Sequence, residues 1–404
     1  MTMVQRLIEG LGNGTKNMLT QKRIITYLMH NHSSTIPDLA KDIDLSIPTV
    51  TKFVMELVEE GYIMNYGKQE TSEGRPPNLY GLNPDSAYMV GVDIKASCLN
   101  IGLMNFTGDM VDIQMGVECR LSNTLESLEE LTRHICNFID KHKTIRERIL
   151  QVGVNISGRV NPAEGYSFSM FNFEERPLAE ILGERIGIPV SIDNDTRAMA
   201  YGELLKGAVK GEKDIVFINI SWGLGSAFII DGKIYTGRSG FSGEFGHFSV
   251  FDNEIICRCG KKGCLETEVS GSALHRILCE KVKNGQSSIL SKRILTGETS
   301  LTLEEIVDAT NKEDILCIEL VEEIGRKLGR YLAGLINLFN PELVVIGGTL
   351  ALTEDYILQP IKTAIRKYSL NLVSKDSAVV LSKLQAKAGV IGACLLSRSK
   401  LFEW

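Results

Sequence analysis

Three cysteines crowd into eight residues as C-R-C-G-K-K-G-C, namely Cys257, Cys259 and Cys264, and His247 stands upstream in G-E-F-G-H. The two glycines let the chain turn tightly around an ion. Three thiolates and one imidazole make a closed tetrahedral zinc site, with no position open for catalysis. The competing reading, surface thiols beside an unrelated histidine, leaves three oxidation-prone groups exposed. The sequence therefore predicts Zn2+ on His247, Cys257, Cys259 and Cys264. The other six cysteines, Cys98, Cys119, Cys136, Cys279, Cys317 and Cys394, lie in apolar or helical contexts and are expected to be buried thiols. In a cytosolic chain such a cluster points to metal rather than to a disulfide.

A second group is polar. Asn194 and Asp195 follow the apolar run Val190-Ser191-Ile192, and Glu244 and Glu266 flank the cysteine motif. A carboxylate at a strand end can hold or deprotonate a hydroxyl, and several together suit a polyol. Any one of them alone reads as a helix cap or a solvated charge.

A third group lies near the N-terminus. Thr20 is expected to cap a helix bearing Ile24, Ile25 and Leu28. Thr35, Pro37 and Asp38 read as a cap, a first-turn proline and a capping-box acid. Ser46 and Pro48 open another helix after a short turn, with Val50, Phe53, Val54 and Leu57 facing inward and Gly61 ending it. Two helices joined so closely form a helix-turn-helix. Tyr62–Met64 and Leu79–Leu82 read as strands of a wing around a loop holding Lys68 and Arg75. Pro48, Thr49, Thr51, Lys52 and Met55, with Ser46 at the helix start, are the expected outward residues, suited to base edges and phosphates of a major groove. Arg75, between Gly74 and Pro76-Pro77, suits an A·T-rich minor groove. Residues 1–82 carry 8 Lys/Arg against 9 Asp/Glu, which favours a mere dimerisation module. Asp42, Glu56, Glu59 and Glu60 are expected to point away from the DNA face, which softens that objection.

These groups need elements to carry them. Tyr88–Ile94, Leu99–Met104 and Met110–Met115 read as three strands, followed by a helix with Leu125, Leu128, Leu131, Ile135, Phe138 and Ile139 on one face. Asp214–Ile220, Gly225–Ile230 and Lys233–Tyr235 repeat the three-strand order, with Asp231-Gly232 at a turn. The expected class is α/β: a duplicated two-lobed fold with a ligand cleft between lobes, behind an N-terminal winged helix-turn-helix. The expected domains are 1–82 for the winged helix, 83–195 for the first lobe completed by a C-terminal helix at 387–404, and 196–386 for the second lobe with the cysteine motif. The chain has 404 residues, 44% hydrophobic and 23% charged, with a net charge of −6. This excludes a protein that coats nucleic acid but not a local basic surface. No apolar run of membrane-spanning length occurs and the N-terminus lacks a signal-peptide pattern, so a cytoplasmic protein is expected.

The residues then resemble a family. E-F-G-H at 244–247 followed by C-R-C-G-K-K-G-C-L-E at 257–266 resembles the zinc signature of the ROK family of repressors, open reading frames and sugar kinases. D-N-D at 193–195 resembles its catalytic-aspartate segment, and N-P-E-L-V-V-I-G-G at 340–348 its late strand and Gly-Gly turn near the adenosine site of kinases. The resemblance covers nearly the whole chain and points to the repressor branch, which includes N-acetylglucosamine and xylose repressors. It implies an actin-like, sugar-kinase-like fold. Asp195 falls where the kinases keep a general base, and Asn194, Glu244 and Glu266 fall where sugar hydroxyls are bound. His247 matches a zinc-ligating, sugar-proximal histidine, and Gly158 in N-I-S-G-R matches a glycine near the sugar.

Two departures shape the functional expectation. Family kinases wrap ATP phosphates with a Gly-Gly-Thr turn after an acidic residue. Here G-V-D-I-K-A-S keeps Asp93 but puts Lys95 and Ala96 where the glycines belong, and backbone N–H groups cradle phosphate only where side chains leave room. The second phosphate loop, usually Gly-Thr-Gly, reads Ser221-Trp222-Gly223. The sequence thus predicts a non-enzymatic repressor of carbohydrate-utilisation genes that binds a pseudo-palindromic, A·T-rich double-stranded operator as a homodimer or homotetramer. Its effector is a sugar or sugar phosphate, whose binding closes the cleft and shifts the angle between DNA-binding units. A coupling of ~1–3 kcal/mol suffices for that. The competing expectation is an ATP-dependent kinase of hexoses or N-acetylhexosamines, and a third is a regulator controlled by a partner protein.

Overall fold

The structure, a computed structural model, describes residues 16–69, 76–297 and 301–402. Contacts divide the chain into two compact units, residues 1–198 with 389–404, and residues 199–388. No described helix is long and apolar enough to cross a membrane.

The first unit opens with helix α1 (Lys16–Asn31), strand β1 (Ser33–Thr35), α2 (Ile36–Asp42), α3 (Ile47–Glu59), β2 (Ile63–Lys68) and β3 (Asn78–Leu82). The three strands form a sheet in the order β1-β3-β2. Thr35 and Ser46 cap α2 and α3 as the sequence predicts, each accepting a backbone N–H three residues on. Thr20 does not cap. It lies inside α1 and donates its hydroxyl to the Lys16 carbonyl 3.0 Å away, because apolar periodicity extends the helix beyond it. The wing is also longer than expected. Tyr62 is buried ahead of β2 rather than within it, and β1 adds a third strand by pairing with β3.

The unit continues with β4 (Tyr88–Ile94), β5 (Cys98–Asn105), β6 (Met110–Glu118), α4 (Leu125–Lys141), β7 (Ile149–Ile156), the short strands β8 (Val160–Asn161) and β9 (Tyr166–Ser167), α5 (Leu178–Ile186) and β10 (Val190–Asn194). The main sheet has the order β10-β7-β4-β5-β6, antiparallel across β4-β5-β6 and parallel across β4-β7-β10. Val90, Val92 and Ile94 face α4 and α5 in one core. Leu125 is the exception on α4, 44% exposed in the first turn.

The chain leaves this unit within α6 (Asp195–Lys206). The second unit holds β11 (Ile215–Ile220), β12 (Leu224–Ile230), β13 (Lys233–Tyr235), α7 (Gly271–Lys283), α8 (Ser291–Thr296), α9 (Leu303–Asn311), α10 (Ile315–Phe339), β14 (Leu343–Gly347), α11 (Asp355–Tyr368), α12 (Asn371–Asp376) and β15 (Ala378–Leu381). Its sheet, β13-β12-β11-β14-β15, repeats the first: an antiparallel meander, then two parallel strands. Alternation along β11 sends Val216, Ile218 and Ile220 to one core and Ile215 and Phe217 to another.

The last helix, α13 (Ala388–Phe402), returns to the first sheet. Bare backbone lets it approach. A Cβ on Gly91 would lie 2.6 Å from the Cys394 sulfur and the Val390 carbonyl, and one on Gly153 would lie 2.4 Å from the Ala393 carbonyl. Cys394, Cys317 and Cys119 are buried as expected, whereas Cys98, Cys136 and Cys279 are only half-buried. The latter three sit at a strand start or on helix faces that meet solvent.

Candidate functional site

The sequence-predicted residues gather in three places. In the second unit, His247, Cys257, Cys259 and Cys264 bring one ligand atom each to within 4.8 Å of one another. Short turns make this possible. The Cys257 carbonyl accepts from Gly260, whose φ is +87°, and Gly263, at φ +70°, leaves no room for a side chain beside the Phe251 carbonyl. The Cys259 and Cys264 sulfurs are 3.6 Å apart, and Cys257 Sγ is 3.6 Å from His247 Nδ1. A tetrahedral ion with metal–sulfur bonds of ~2.3 Å and metal–nitrogen bonds of ~2.05 Å separates its ligands by about 3.8 and 3.5 Å. The donor set therefore fits a tetrahedral metal and is far too open for a disulfide. Burial pushes the Cys257 thiol up to about 12. Burial works the same way on Cys259, but the Lys261 backbone N–H and the neighbouring thiols outweigh it and hold that group below its ordinary value.

Two of the predicted hydroxyl-binding acids stand around this cluster. Glu244 Oε2 is 3.4 Å from His247 Nε2, the ring nitrogen other than the one beside Cys257, and a carboxylate so placed orients the imidazole. Glu266 Oε1 lies 3.7 Å from Cys257 Sγ, and its Oε2 accepts the Leu224 backbone N–H at 2.9 Å.

In the first unit the remaining residues meet at the carboxyl ends of β4, β7 and β10, the end where parallel sheets hold ligands. Asp195 starts α6. Its Oδ2 accepts from the Ser157 hydroxyl at 2.6 Å, and its Oδ1 accepts from the Thr196 backbone at 2.7 Å and from Asn194 Nδ2 at 3.1 Å. Asn194 Nδ2 also donates to the Gly158 carbonyl, 3.0 Å away. Gly158 has φ +94°, and a Cβ there would strike the Ser169 hydroxyl. Ser157 escaped the sequence reading, although it stands in the same N-I-S-G segment. Asp93 is fully buried at the end of β4, and Lys95 Nζ lies 3.1 Å from its Oδ2. Burial alone would lower the Lys95 ammonium, but Asp93 and then Asp195 hold it above its ordinary range. Lys95 thus sets a cation against the two acids.

Beneath these residues runs a buried ionic network. Arg197 Nε donates to Asp193 Oδ1 at 2.7 Å, and Lys400 Nζ is 3.0 Å from Asp193 Oδ2 and 2.8 Å from the Ile192 carbonyl. Burial would raise the Asp193 carboxyl, but Lys400 and Arg197 hold it below the usual carboxylate range. The same helix α13 carries Phe402, whose carbonyl accepts from Thr26 of α1 at 2.8 Å. Its ring packs on Phe106, which in turn packs on Tyr62.

The third place is α3. Ser46, Pro48 and Lys52 are exposed, and Thr49, Thr51 and Met55 are half-exposed. All three hydroxyls are engaged locally: Ser46 Oγ with Thr49 Oγ1 at 2.7 Å, and Thr51 Oγ1 donating to the Ile47 carbonyl at 2.8 Å. Ile47 is 52% exposed at the start of the helix, an apolar contact the sequence reading missed and one that suits a thymine methyl. Glu56 does not point away from this face as expected. One helical turn from Lys52, its Oε1 lies 3.9 Å from Lys52 Nζ, and Gln21 donates to its other oxygen. Lys68 is exposed at the end of β2, and Arg75 lies outside the described residues.

The ROK family profile matches residues 89–400, and a winged helix-turn-helix DNA-binding profile matches residues 19–64. The chain is 27% identical over 403 residues to a xylose repressor of Caldicellulosiruptor bescii, covering 98% of this chain and 99% of that one. It is 30% identical to a glucokinase of Halalkalibacterium halodurans, over 76% of this chain and 93% of the relative. The crystal structure of a ROK family transcriptional regulator, a homolog of the E. coli MLC protein, superposes with a TM-score of 0.81 at 27% identity, covering 96% and 97% of the two chains.

Proposed function

Because this chain belongs to the ROK family and carries an N-terminal winged helix-turn-helix, we propose that it is a cytoplasmic transcriptional repressor of carbohydrate-utilisation genes, released from its operator by a sugar or sugar phosphate. The observation that carries this reading is a continuity within the first unit. Asp193, next to the hydroxyl-accepting pair Asn194 and Asp195, is tied to α13 by Lys400, and α13 is tied to α1 of the winged helix through Phe402 and Thr26. A kinase has no need of such a link.

Each unit contributes acceptors for hydroxyl groups: Asn194 and Asp195 beside Gly158 in the first, and Glu244 and Glu266 beside His247 in the second. When bound, Zn2+ on His247, Cys257, Cys259 and Cys264 supplies a structural crosslink. The chain's own residues do the rest: His247 turns its second nitrogen to Glu244, and Glu266 braces the Leu224 backbone. Ser46, Ile47, Pro48, Thr49, Thr51 and Lys52 would enter a major groove of double-stranded DNA, and Lys68 and Arg75 would follow the flank. A homodimer or homotetramer would present two such helices to a pseudo-palindromic, A·T-rich site.

The kinase reading draws on Asp195, Asp93 and the glucokinase relative. Against it stand Lys95, whose ammonium occupies the space beside Asp93, and Trp222 in the second loop. Phosphoryl transfer is almost wholly positioning and electrostatics, and a retained acid serves a sensor equally well. The test is paired. Operator DNA is titrated with the protein by fluorescence anisotropy while aldoses, N-acetylhexosamines and their 6-phosphates are added, and ADP release is followed with the same sugars. DNA release without ADP formation is the expected result. Turnover near the ~10 s⁻¹ typical of enzymes overturns the repressor reading in favour of the kinase.

A further inference from the structure

Within the second unit, the loop Ser221-Trp222-Gly223 is held from several sides. The Ser221 carbonyl accepts from Gly271 at 2.8 Å and the Trp222 carbonyl from Ser272 at 2.9 Å, both donors lying in the first turn of α7. The Ser221 hydroxyl donates to Asn219 Oδ1 at 2.7 Å and accepts the Thr349 backbone N–H at 3.2 Å. Gly223 lies so close to Glu266 that a Cβ there would sit 2.7 Å from Oε2, the oxygen that also accepts from Leu224. The indole at the centre of this loop packs against the His275 ring, with centroids 5.5 Å apart and planes at 54°. His275 is itself kept in place on α7, with Cys279 Sγ 3.9 Å from its Nε2, and burial lowers its basicity. Yet Trp222 remains 37% exposed. A large aromatic ring with a fixed backbone, a packed side and an open side is a preformed contact surface with little conformational entropy left to lose on binding.

We infer that Trp222 is the stacking platform for the C–H face of a sugar ring in this unit, with Glu266 as the adjoining hydroxyl acceptor. This rests on the sensor reading above and adds to it a specificity residue of definite chemistry. The surroundings favour a sugar over a nucleotide. The Glu266 carboxylate adjoins this loop: its Oε2 accepts the Leu224 backbone N–H at 2.9 Å and would lie 2.7 Å from a Cβ on Gly223. Carboxylates accept hydroxyl hydrogens and repel phosphates. An aromatic face beside a few convergent acceptors is the usual composition of a small-ligand site. On this reading Trp222 both removes a phosphate loop and takes up a new ligand contact.

The chain has two tryptophans, Trp222 and Trp404, so W404F makes Trp222 the sole indole reporter. W404F protein is titrated with D-glucose, D-xylose, N-acetyl-D-glucosamine, their phosphates and AMP. Binding is measured in parallel by calorimetry and by indole emission. The sugar that binds should change the emission. In the same background W222A should bind it roughly five- to tenfold more weakly and W222F within about twofold of the parent. Unchanged metal content and circular dichroism establish that W222A is folded. A sugar that binds by calorimetry with neither an emission change nor a loss in W222A overturns the inference and leaves the sensor reading standing. An emission change with AMP and none with any sugar also overturns it. If no sugar binds the parent protein at all, the sensor reading fails, and the platform with it.

Discussion

Lys400, near the end of the chain, places its ammonium 3.0 Å from the Asp193 carboxylate, and both groups are largely removed from water. The contact joins α13 to the strand end that presents Asn194 and Asp195. The same helix reaches Thr26 across 376 residues of sequence. If this helix carries the effector signal, Lys400→Met should leave sugar affinity within a fewfold of wild type while reducing sugar-induced release of DNA. Calorimetry with sugar and anisotropy with operator DNA separate the two. Normal release from a Lys400→Met protein that binds sugar normally would falsify the link.

The buried network also gives stability a pH dependence. Asp193 is held below the ordinary carboxylate range in the folded state, so the unfolded chain binds the proton more tightly. Its contribution is fully present above the unfolded value of ~3.9 and is lost as pH falls through the lower folded value. Asp193→Asn should cost about 3–5 kcal/mol at neutral pH, because Arg197 and Lys400 are left without their partner. The gap between wild type and variant in urea unfolding should narrow below about pH 4. A gap that stays constant down to pH 3 contradicts the assignment.

The metal prediction is stoichiometric. Elemental analysis of untagged protein should give about one zinc per chain, and Cys259→Ser should lower that ratio and the thermal midpoint together. Glu244→Gln should retain the metal, since it touches His247 from the far side, while weakening the response to sugar. Protein that is metal-free and yet fully stable removes the zinc reading.

Glu56 tempers the charge of the recognition helix. The Lys52–Glu56 pair is exposed and contributes little to stability, ~0–1 kcal/mol, so Glu56→Gln should fold normally. It should bind DNA a fewfold more tightly at low salt, with the gain fading as salt rises. Lys52→Ala should weaken binding and reduce the slope of log affinity against log salt by about one. Arg75→Ala should reduce the preference for A·T-rich flanks. Footprinting on operator variants checks all three.

What the sequence determined by itself is what short-range chemistry encodes. The caps at Thr35 and Ser46, the glycine turns around Cys257–Cys264 and the two three-strand meanders each depend on residues a few positions apart, so spacing alone predicts them. The Lys52–Glu56 contact was also within reach, because an i,i+4 spacing puts both side chains on one helix surface. Tertiary structure alone decided the rest. Nothing near Asp193 in sequence announces that Lys400 will neutralise it, or that Thr26 will reach the Phe402 carbonyl. Those contacts exist because Gly91 and Gly153 let α13 lie close against the first sheet. The close approach of two elements is fixed by the shapes of both packed surfaces, which a pattern along one segment does not contain.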